Sequence, residues 1–82
     1  MASVTILRNI AADAAWILDN RLNDKRRSKP FYVLADRTDN ELGRDLGDAL
    51  ERAASNLREK HPAVAEELDE CLVRWRQEMK RP

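Results

Sequence analysis

Apolar residues recur at intervals of three and four along the first part of the chain. Placed at about 100° per residue, Ile6, Leu7, Ile10, Ala11, Ala14, Ile17, Leu18 and Leu22 share one broad face, with Val4 and Ala15 at its edge. This predicts a helix over 3–23, with Ser3 as its cap. A face that wide suits a helix touching two neighbours rather than one. Trp16 falls outside it, among Asn9, Ala12, Asp13 and Asn20.

A narrower stripe follows in Leu42, Leu46, Ala49, Leu50, Ala53 and Leu57, with Arg44, Asp48, Glu51, Arg52, Ser55 and Arg58 opposite. "TDNE" at 38–41 reads as a capping box, in which Thr38 and Glu41 satisfy each other's backbone N–H. The second helix is therefore expected over 38–60. Pro62 disfavours helix at His61 and suits the first position of a new one. A third helix is expected over 62–80, with Val64, Leu68, Cys71, Leu72, Trp75 and Met79 inward and Val73 outward. Gly43 and Gly47 are spaced for either a close helix contact or a frayed first turn.

These stripes predict an all-α fold, a small bundle of three long helices in one domain spanning 1–82. Its core includes Ile10, Ile17, Leu18, Leu46, Leu50, Leu57, Leu68, Leu72 and Trp75. An irregular link at 24–37 joins the first two helices. "FYVL" at 31–34 is β-prone, but a lone strand is not stable, and this chain offers it no partner strand. A helical turn or extended loop is expected there, with Phe31, Val33 and Leu34 closing one end of the bundle.

Composition narrows the class. The 82 residues are 43% hydrophobic and 37% charged, with two Gly, three Pro and no net charge. That is too apolar for a disordered chain and lacks the bulk positive field of a nucleic-acid binder. The charge is nonetheless segregated. Residues 1–35 carry a net +3, residues 36–70 a net −6 and residues 71–82 a net +3. Complementarity between packed helices is the expected cause, with steering of an external partner as the alternative. Cys71 stands alone and forms no internal disulfide, no apolar run approaches membrane-span length, and the opening residues read as helix rather than signal peptide. The cytoplasm is the expected compartment.

Catalytic chemistry is not legible. His61 is the only histidine and sits at a helix boundary, while Cys71 faces the core. The carboxylates Asp45, Asp48 and Glu51 alternate with arginines, and neither metal-ligand spacing nor a phosphate-binding loop is present. The expectation is a non-catalytic protein-binding module, a small regulator or inhibitor, with no cofactor, metal or small-molecule substrate and no membrane attachment. Its candidate contacts are Trp16, Asn9 and Asn20 on the first helix, Lys25, Arg26, Arg27, Lys29 and Tyr32 in the link, and Val73. The partner is another protein, or a second copy in a homodimer. One alternative is a nucleic-acid-binding regulator using the cations at 25–29, with Tyr32 stacking on a base. Another is a structural subunit of a homo-oligomer.

Overall fold

A computed structural model of the chain describes residues 1–81. It contains four α-helices, α1 Val4–Leu22, α2 Lys25–Ala35, α3 Leu42–Leu57 and α4 Pro62–Met79, and no strand among the described residues. The all-α class expected from the periodicity is present, but with four helices rather than three. No helix is long and apolar enough to cross a membrane among the described residues.

The first helix begins where expected, with Ser3 Oγ accepting from the Ile6 N–H at 3.3 Å. It ends at Asn23, whose left-handed backbone (φ 50°, ψ 40°) turns the chain back. Asn is one of the few residues with a side chain that tolerates this conformation. The turn is short, so α2 returns antiparallel along α1, with Ser28 and Tyr32 beside Asp19 and Ala35 beside Arg8.

The expected irregular link is thus mostly helix. Asp24 caps α2 by accepting the Arg27 N–H at 3.0 Å. Pro30 lies inside the helix, where it forfeits one backbone hydrogen bond at a cost of about 3 kcal/mol. Burial of Phe31 and Leu34, each about 1.5–3 kcal/mol, offsets that cost, so tertiary packing overrides the local breaker. Val33 does not join them. It points outward and is 55% exposed.

The Thr38 capping box does not form. Arg37 instead grips Asp39 with two hydrogen bonds of 2.7 and 2.6 Å and reaches Asp45 at 2.8 Å. Asp39 Oδ2 in turn accepts the Glu41 N–H at 3.1 Å. These charge-assisted bonds outcompete a neutral threonine cap, and α3 starts four residues later than expected. It also stops at Leu57, short of the expected 60.

On its α4 side, α3 is built for close approach. Gly43 and Gly47 are buried, and a Cβ at Gly47 would strike the Trp75 indole. Trp75 Nε1 donates to the Gly43 carbonyl at 2.6 Å, fixing the ring across both glycines. Of the two readings of this glycine pair, close packing is the one realised. Met79, expected on the core face, is 42% exposed, although its sulfur covers Gly43.

The helices alternate in direction and each packs on its sequence neighbour, with α4 closing back on α1. The wide face of α1 consequently touches all three others. Its start is tied to the end of α4, because buried Glu78 accepts the Ser3 N–H at 2.6 Å. All the expected core residues are buried except Trp75, which is partly covered.

Candidate binding surface

One exposed stripe of α1 carries Asn9, Asp13, Trp16 and Asn20 at helical spacing. Trp16 is 50% exposed at the groove between α1 and α4. The α2 segment does not fold over it. The Arg21 guanidinium stacks on its ring instead, 5.3 Å from the centroid. That guanidinium is itself anchored across the groove, with Nε donating to Glu67 at 3.0 and 3.4 Å. Asn20 donates its side-chain amide to the Trp16 carbonyl at 2.9 Å. The Arg21 stack thus covers one face of the indole while half of the side chain faces solvent.

Beside Trp16 lies a hollow of about 240 Å³ whose floor includes Ile17 and Cys71 and whose wall includes Glu70. Arg74 crosses it to Asp13 at 2.6 Å rather than pairing with Glu70 within its own helix. Cys71 is buried, and burial pushes its thiol up to about 11, so it is a small apolar filler and not a thiolate. Among the described residues no group of His, Cys, Asp or Glu is placed to hold a metal ion.

The expected contacts do not form one patch. Val73 is 49% exposed, but about 100° around α4 from the Arg74 side that faces α1. The cations at 25–29 lie on the first turns of α2. Lys25 pairs with Asp19 at 3.3 Å and Arg27 with Asp24 at 3.0 Å, so half the cluster is neutralised internally. Arg26 and Lys29 point instead along a groove between α2 and α3.

Tyr32 is 45% exposed, and its hydroxyl donates to Asp19 Oδ2 at 2.6 Å. Buried Ser28 donates to Asp19 Oδ1 at 2.7 Å. The two hydroxyls, with the Lys25 ammonium, hold the Asp19 carboxyl below the ordinary carboxylate range. The same contact raises the Tyr32 phenol. Tyr32 is therefore tethered to α1, and its role is at least partly to dock α2.

Periodicity on α1 could not reveal the Arg21 clamp. Arg21 is five residues from Trp16, about 140° away on the helix, and lies over its ring while paired with Glu67 of α4. Arg52, on the rim of the α2–α3 groove, was also not singled out by sequence. Compared with protein-family models, curated proteins and solved structures, the chain finds no match.

Proposed function

We propose that this chain acts by binding another protein, without turnover, through the α1 stripe centred on Trp16. The observation that carries the reading is the half-exposed indole clamped by Arg21, which Glu67 holds in turn. Tryptophan joins a large apolar face to a polar N–H and is enriched at the centres of protein interfaces. A tryptophan has only two side-chain torsions to immobilise on contact, and such residues anchor interfaces. Asn9 and Asn20 flank it with polar groups suited to an interface rim. A small regulator or inhibitor that occupies its partner's surface fits this arrangement.

The test is capture from native lysate on immobilised wild-type and Trp16→Ala protein, with retained species identified. The expected outcome is a protein retained by the wild type and weakened by about thirtyfold or more in the variant, corresponding to about 2 kcal/mol. Equal retention by both would remove Trp16 from the interface. Retention of nucleic acid alone, lost at high salt, would replace this reading with a nucleic-acid-binding one.

A further inference from the structure

The two flanks of α3 are furnished alike but filled differently. Towards α4, Gly43 and Gly47 are covered by Trp75 and Met79. Towards α2, the short side chains Ala49 and Ala53 have no such cover. Two adjoining hollows of about 460 and 200 Å³ share Pro30 and Ala49 and run along this side. Their walls include Val33 and Leu34 at one end and Phe31 and Ala53 at the other. The result is one apolar groove between two helices, open to solvent.

Its rim is basic. Arg26 and Lys29 stand on the α2 side and Arg52 on the α3 side. None of the three has an ion-pair partner among the described residues. The one carboxylate lining the groove, Asp45, is already held by Arg37 at 2.8 Å.

We infer that this groove takes an acidic amphipathic helix of a partner protein. This rests on the reading of the chain as a protein-binding module but uses a face separate from Trp16. Two helix walls with a floor of small residues match an occupant that presents apolar residues at i, i+3, i+4 and i+7. Unpaired cations on both rims select carboxylates beside those anchors and reject a basic helix. The eleven residues of α2 span about 16 Å, which sets the engaged length at about three turns. The α4 helix of a second copy does not supply such a segment: its outward face offers Glu66 and Glu70 with Val73, and its other exposed large apolar residue, Met79, lies about 120° around the helix from Val73.

The probe is a synthetic helical peptide of about 18 residues with leucines at those spacings and glutamates flanking them. Its counterparts carry lysines for the glutamates or serines for the leucines. Binding is read by fluorescence anisotropy and by amide shifts in the isotope-labelled protein. The acidic peptide is expected to bind saturably, about tenfold or more tighter than either counterpart, with shifts around Val33, Ala49 and Ala53. The exposed-site variants Arg26→Glu/Lys29→Glu/Arg52→Glu and Val33→Asp should each weaken it about tenfold or more, while Trp16→Ala leaves it unchanged.

Absence of saturable binding, or equal affinity for the acidic and basic peptides, would overturn the inference. So would shifts confined to the Trp16 side, or a tighter complex with a DNA or RNA duplex that Val33→Asp does not disturb. Because the Trp16 face plays no part in this assay, its failure would leave the Trp16 reading standing, and the reverse also holds.

Discussion

Replacing Gly47 by alanine should destabilise this protein, although the same change at an ordinary exposed helix position stabilises. Intrinsic helix preference favours Ala by about 1 kcal/mol. Against it stands the Trp75 indole. The new methyl would overlap Cζ2 and lie 2.6 Å from Cε2 and 2.7 Å from Cη2. The ring is rigid and tethered by its bond to the Gly43 carbonyl, so it can make room only by giving up that bond. Overpacking costs about 1–3 kcal/mol and the lost hydrogen bond about 1 kcal/mol. The net expectation is a loss of about 1–3 kcal/mol, read as a lower urea midpoint by circular dichroism, with a melting temperature about 4–8 °C lower per kcal/mol.

The decisive arm is the Trp75→Leu background. There the obstruction is gone, and Gly47→Ala should become stabilising by up to about 1 kcal/mol, a coupling of about 1–4 kcal/mol. Gly43→Ala provides the contrast. Its methyl would clash only with the Met79 thioether, at 2.7 and 2.9 Å, the far end of a flexible side chain that can swing aside, and would meet Leu7 Cδ1 at an ordinary 3.5 Å, so its effect should be small. A stabilising Gly47→Ala in the wild type would refute the packing described for Trp75.

Leu50, fully buried, should cost about 2–5 kcal/mol on truncation to alanine, measured by the same denaturation. Trp16→Ala should cost about 1–3 kcal/mol, because only half the side chain is covered; a loss of about 3–5 kcal/mol, as for a fully buried tryptophan, with the mass in sedimentation equilibrium unchanged, would make Trp16 core. The Asp19 carboxyl is held low in the folded chain, so its contribution is present above the unfolded value of about 4 and disappears as pH falls through the folded value. Asp19→Asn should therefore flatten the acid limb of a stability–pH profile, and an unchanged limb would argue against the Tyr32 and Ser28 contacts. The raised thiol of Cys71 predicts modification by thiol reagents at least about a hundredfold slower than for an unfolded control at mildly alkaline pH.

Where residue type and spacing agreed, the chain could be read directly. The wide stripe of α1, the capping Ser3, the inward Cys71 and the exposed Trp16 all follow from 100° steps. The second helix was hidden by Pro30 and by a run of cations that masked a stripe of only two buried apolar residues, Phe31 and Leu34. One signal for it was available: Asp24 stands immediately before the segment as a helix cap. The start of α3 was misplaced because Thr38 and Glu41 satisfy a local pattern that Arg37 and Asp39 defeat with stronger, charged bonds. Neither groove could be anticipated, because each depends on the separation of two helices and not on the pattern along one. The −6 middle segment was partly explained by packing, since Glu67 pairs with Arg21 of the basic first segment.

The measurement closest to the central proposal is site-directed photo-crosslinking in native lysate. A photoreactive residue would replace Asn9 or Asn20, which flank Trp16, or Glu51 on the distant wet face of α3. If the clamped indole anchors a partner, the Asn9 and Asn20 positions yield discrete protein adducts that vanish when Trp16→Ala is added, and Glu51 yields none. Adducts that are the same from all three positions, or that persist without the indole, would contradict the account.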